Sequence, residues 1–181
     1  TDSWMNLGDL ETAFKSAQEQ TGKKIDVIGF DECLMASAEV ATQLQPYADF
    51  LVASEETEGG AGWQYDDALG KKSNTNSRIL SPKVLNYAAM ALRNRDPLTP
   101  ADMAKAIVTM AEGHQRDLGT MSAVDLNKMP AVTAAFDNFA GAVLDSNFTK
   151  KDFAPVAQEV QKFADFADGL HFVELAGAKF G

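Results

Sequence analysis

The chain of 181 residues has a single cysteine, Cys33. That excludes an internal disulfide framework and any cluster of thiolate ligands. Histidine is nearly as scarce: His114 and His171 lie far apart, so no zinc spacing exists. No uninterrupted apolar run reaches membrane-spanning length. Positive charge is in deficit, with 16 bases against 26 acids and a formal net charge of −10. A chain so acidic and without a basic stripe repels phosphate backbones, which argues against nucleic acid as a partner. Gly-x-Ser-x-Gly and phosphate-cradling glycine patterns are missing, and with them serine-hydrolase and P-loop chemistry. Gly59-Gly60-Ala61-Gly62 does not lead from a strand into a helix as a nucleotide motif requires. Internal repeats and low-complexity segments are absent as well.

What remains has the composition of a soluble globular protein, 45% hydrophobic and 23% charged, long enough to bury a core unaided. Leu7, Leu10, Phe14 and Ala17 recur at helical spacing, with Gly22 as a stop. Ile25 to Phe30 reads as a short buried strand, followed by Asp31-Glu32-Cys33 and a run of helix formers from Leu34 to Ala41, closed by Pro46. Phe50 to Ala53 gives a second strand. Ser54 to Asn76 is a long loop, a length typical of functional segments. Helices are expected at about 82–93 and from Pro100, where Thr99 can cap and Asp102 lies in the first turn. A third strand is expected at 120–124, and two further helices at 127–145 and 152–168. Helices alternating with short apolar strands imply an α/β chain with a parallel sheet covered on both faces. Three strands are few for such a sheet, so the chain is expected to supply only part of it.

In open parallel sheets, ligands bind beyond the carboxyl ends of the strands. Asp31, Glu32 and Cys33 occupy that position after the first strand. A thiol entering a helix would meet the positive end of the macrodipole, and the backbone N–H groups there could hold an oxyanion. A buried cysteine is equally at home as a small hydrophobe. The adjacent acids oppose charge on the sulfur, so they make sense serving something else. Asp31 could floor a pocket for a cationic side chain, or it could cap the helix.

Phe30-Asp31-Glu32-Cys33-Leu34-Met35-Ala36 with Glu39-Val40-Ala41 resembles the nucleophile motif of the clostripain family of cysteine peptidases. Tyr47 to Glu56, followed by Gly62-Trp63, resembles that family's next strand and loop. The resemblance implies a three-layer α/β/α sandwich with a mostly parallel, caspase-like sheet. It also implies cleavage after arginine, with lysine second, through a Cys–His dyad. Cys33 is then the nucleophile, with its own N–H in the oxyanion hole, and Asp31 binds the basic P1 side chain. The Ser54–Asp67 loop borders the S1 and neighbouring subsites, with Asp66 as the acid assigned to assist Asp31.

The family's His-Gly motif lies upstream of the cysteine, and neither His114 nor His171 fits it; both are read as ordinary histidines. The expectation is therefore a single peptidase domain over 1–181 that is incomplete. Self-processing would leave the histidine-bearing segment in a separate light chain, and if the scissile bond is the one before Thr1, the residue preceding it is expected to be Arg or Lys. Thr1 as an N-terminal nucleophile is disfavoured, since no strand-like run follows it. The alternative function is a non-catalytic binding module that keeps the fold. Family resemblance also allows a structural calcium, although no EF-hand loop is present, and implies secretion or a cell-envelope location in a bacterium.

Overall fold

A computed structural model describes residues 5–58, 98–112, 120–163 and 165–180. They fall into two compact units, Thr1–Met129 and Pro130–Gly181. The expected helix at 82–93 lies outside the described residues.

In the first unit, α1 (Leu7–Thr21) opens on a capping box. The Asn6 side chain accepts from the N–H groups of Gly8 and Asp9, and the Asp9 carboxylate accepts from the Asn6 N–H. It stops at Gly22, whose φ of +66° is a left-handed conformation that costs a residue with a Cβ about 1–2 kcal/mol. Then come β1 (Ile25–Gly29), α2 (Ala38–Leu44), β2 (Ala48–Ser54), α3 (Pro100–Glu112) and β3 (Met121–Asp125), which runs into a 3₁₀ turn at Leu126–Lys128. Thr99 and Asp102 brace the start of α3 reciprocally, as their spacing predicts. The Thr99 hydroxyl and N–H hold the Asp102 carboxyl below its usual range.

The described sheet has the order β1-β2-β3. β1 and β2 are parallel, from Ile25 opposite Ala48 to Gly29 opposite Val52. β2 and β3 are antiparallel, from Phe50 opposite Asp125 to Ser54 opposite Met121. The sheet is therefore mixed where the alternation of helices and strands implied parallel pairing. A short apolar run signals burial, and its sequence carries no information about direction.

β2 is the central strand, and period-two alternation sends its side chains to two cores. Leu51 and Ala53 join Ile28, Val40, Ala41 and Leu44 under α1 and α2. Val52 packs with Ala104 and Ile107 of α3 on the other face. Helices thus cover both faces of the sheet, the layering expected of an α/β/α sandwich. Leu51 is fully buried. Leu51→Ala is expected to lower unfolding free energy by about 2–5 kcal/mol, the range for truncating a core leucine, read as a shifted urea midpoint.

At the opposite end from the carboxyl termini of β1 and β2, Lys24 ties the entry of β1 to its neighbours. Its ammonium lies 3.2 Å from the Asp49 carboxylate and donates to Asn127 Oδ1 at 3.1 Å. Partly exposed pairs of this kind stabilise little and chiefly fix register.

α4 (Met129–Asp145) begins at the division between the units, and Met129 itself packs in the first core. The second unit continues with α5 (Lys150–Glu159), a short hairpin of β4 (Lys162–Phe163) and β5 (Phe166–Ala167), and α6 (Gly169–Phe180). The helix expected over 152–168 thus ends at Glu159. The chain turns extended at Val160, with ψ of 133°. The hairpin is closed by the Asp168 N–H donating to the Gln161 carbonyl at 2.8 Å and the Gln161 N–H donating to His171 Nδ1 at 3.0 Å. Asp168 Oδ1 then accepts from the His171 N–H at 2.7 Å in the first turn of α6.

Candidate active site

β1 delivers the chain to the carboxyl edge of the sheet, where Phe30 adds one more rung by donating its N–H to the Val52 carbonyl at 3.0 Å. Beyond that point the chain doubles back. The Ala36 N–H donates to the Ser54 carbonyl at 3.0 Å and the Leu34 N–H to the Glu56 carbonyl at 3.2 Å. The Glu58 N–H reaches the Cys33 sulfur at 3.2 Å. Partners 36, 34 and 33 therefore meet 54, 56 and 58 in reverse order. A loop that starts parallel to β2 finishes antiparallel to its continuation.

Leu34 accommodates the reversal with φ of +64°, the only non-glycine residue described in the left-handed region. Leucine there costs about 1–2 kcal/mol, and such strain persists only where surrounding contacts over-determine it. Here the Phe30 bond before Cys33, the Leu34 and Ala36 bonds after it, and the packing of Phe30, Met35 and Ala36 against the core supply that determination. The sulfur is consequently held on a stiff loop, half-buried.

The helix does not begin at Cys33. α2 starts at Ala38, with Ser37 as its N-cap accepting from the Val40 N–H at 3.3 Å. Leu34, Met35 and Ala36 favour a helix by intrinsic propensity, but pairing with residues 54 and 56 takes the N–H groups of Leu34 and Ala36 first. The macrodipole acts only within a helix's first turn, so the helix-entry account of Cys33 is overturned.

Asp31 is half-buried and Glu32 exposed, both on the same loop as Cys33. Ser54 is fully buried at the end of β2, and its hydroxyl accepts from the Glu56 N–H at 3.3 Å. The Glu55 N–H donates to the Thr120 carbonyl at 3.0 Å, carrying the ladder with β3 past the strand ends. The segment after β2 is braced on both sides.

Asp66 and His114 lie outside the described residues. His171 stands in the first turn of α6, where Nδ1 accepts the Gln161 N–H and fastens the hairpin, a structural use. Among the described residues, no three His, Cys, Asp or Glu side chains gather in a metal-binding cluster. No calcium site is therefore derived from them. No helix among them is long and apolar enough to cross a membrane. The Glu58 amide was not foreseen, and no side-chain signal could have revealed it, because every residue type except proline carries that donor.

The structure thus carries Cys33, with Asp31 two residues before it, on a loop beyond the carboxyl end of β1 in a sheet covered by helices on both faces. The Clostripain family model matches residues 1–168, and the chain belongs to that family. Clostripain of Hathewaya histolytica is 31% identical over 160 residues, which is 82% of this chain and 28% of that protein. A clostripain from Bacteroides thetaiotaomicron, solved in complex with the peptide inhibitor BTN-VLTK-AOMK, superposes with a TM-score of 0.59 at 16% identity over 95% of this chain and 65% of that one. An inactive zymogen C11 protease from Parabacteroides distasonis superposes at 0.58, with 20% identity over 94% of this chain and 42% of that one. Both place the chain in the caspase-like α/β fold. The chain spans less than a third of the curated relative and about two thirds of the first of these structures.

Proposed function

We propose that the protein is the nucleophile-bearing part of a cysteine endopeptidase that cleaves after arginine, with lysine second. The observation that carries the reading is Asp31 and Cys33 on one braced loop beyond β1, in a chain of the clostripain family. In this reading the Cys33 sulfur attacks the scissile carbonyl carbon, and the Cys33 N–H receives the developing oxyanion. Collapse of the tetrahedral intermediate expels the amine, and water then releases the acyl group from sulfur. A histidine from a light chain of the same precursor, separated by self-processing, removes and returns the protons. Asp31, half-buried, pairs with the guanidinium or ammonium of the P1 side chain, with Asp66 assisting. The peptide of the inhibitor carried by the Bacteroides thetaiotaomicron clostripain ends in lysine, in keeping with a basic P1 residue. The substrates are peptides or proteins met outside a bacterial cell or at its envelope.

Denaturing intact-mass analysis of the native preparation, with and without an arginyl halomethyl ketone, tests the reading. A second, histidine-bearing chain together with an adduct on Cys33 is the expected result. A single, unlabelled species overturns it and leaves a module that keeps the fold without the chemistry.

A further inference from the structure

The loss of the helix N-terminus leaves the sulfur of Cys33 without the stabilising group its sequence position implied. Asp31 and Glu32 beside it oppose negative charge on sulfur, and α2 begins too far along the chain to offset them. The backbone of Glu58 stands in that place. Its nitrogen lies 3.2 Å from Cys33 Sγ and its carbonyl oxygen 4.0 Å away. The shorter contact is a good N–H···S bond and the longer lies at the outer limit, so the sulfur is placed as an acceptor more than as a donor.

We propose that the Glu58 N–H is a catalytic group that holds the Cys33 sulfur and stabilises its anionic form, which makes the segment following β2 part of the attacking apparatus. This rests on the reading of Cys33 as the nucleophile. The donor is pre-positioned by the chain that carries it. Ser54 accepts from the Ala36 N–H, Glu56 accepts from the Leu34 N–H, and the Ser54 hydroxyl receives the Glu56 N–H. A donor fixed in this way needs little reorganisation when charge appears on the sulfur. The side chain of Glu58 has no part in the proposal; only its amide does.

The test uses the protein with its light chain and reads the sulfur without requiring peptide cleavage. The ultraviolet thiolate absorbance lost on iodoacetamide alkylation of Cys33 is measured at one neutral pH. Glu58→Pro removes the N–H, and the ratio of thiolate to thiol is expected to fall about tenfold, since a hydrogen bond to a charged group is being deleted. Glu58→Gln keeps the N–H and removes a buried negative charge near the sulfur, so its thiolate signal is expected to equal or exceed that of the parent. Because a proline ring can distort the loop, the same N–H is also removed by an ester between Thr57 and Glu58, introduced with the α-hydroxy acid. The ester variant is expected to match the proline variant. Parent absorbance in the ester variant overturns the proposal, and so does an equal loss in Glu58→Gln. A parent protein that follows the expected pattern but cleaves neither arginyl nor lysyl peptides supports the sulfur–amide bond and sinks the peptidase assignment instead.

Discussion

With Cys33 replaced by alanine, hydrolysis of arginyl peptides is expected to fall by about 10⁴-fold or more, because the step that forms the acyl-enzyme is deleted outright. Cys33 is the one cysteine in the chain, so no neighbouring thiol can take over. Residual activity would come only from binding and oxyanion stabilisation, which survive loss of a nucleophile in other covalent hydrolases. The fold is expected to tolerate the change. The side chain is half-buried, and its removal leaves the Glu58 N–H without its sulfur partner, at a cost of about 1 kcal/mol. Measuring kcat/KM beside the urea midpoint separates the two effects. A variant within tenfold of the parent would show that the reacting sulfur is not this one.

Asp31→Asn is the second large effect. The amide keeps the size of the side chain and removes its charge, so on the proposed reading a P1 guanidinium loses its counter-ion. Breaking one side of such a pair costs about 2–5 kcal/mol, and half-burial places Asp31 near the lower end. Turnover of arginyl substrates is expected to drop at least about 30-fold, while citrullyl substrates, the same shape without charge, change little. The quantity to follow is the ratio of kcat/KM for the two substrates. A ratio unchanged from the parent assigns the recognition of charge elsewhere, and loss on both substrates alike points to damage of the Cys33 loop.

Much of the frame was legible because it rests on local patterns. The apolar spacing of α1 and the left-handed stop at Gly22 were visible, as were the β-branched run of β1 and the Thr99–Pro100–Asp102 signature of α3. What failed was governed by partners distant in sequence. Leu34 to Ala36 have helical propensity, yet the end of β2 and its continuation claim the N–H groups of Leu34 and Ala36. Ser37 before Ala38 is a cap by residue type, and it marks the true start of α2. The direction of β3 depends on how the intervening chain returns, which no run of five residues records. The hairpin at 162–167 was hidden by apolar spacings that suit a helix equally well, while Asp168 before Gly169 marked the true start of the next one. At the site, Cys33 and Asp31 came from the sequence motif, whereas the donor at Glu58 is a property of backbone path alone.

If Cys33 is the nucleophile proposed above, the reversal of the chain after Phe30 has a practical corollary for retargeting. Specificity is usually altered by exchanging a surface loop while the reactive residue stays untouched on its own support. Here the stretch 54–58 is the support: its carbonyls and amide are the rail along which residues 33–36 are fastened. On the proposed reading, a graft that shortens or lengthens this stretch is expected to shift the sulfur by a rung, so that loop exchange and loss of reactivity arrive together. Grafts that begin beyond Glu58 leave the rail in place.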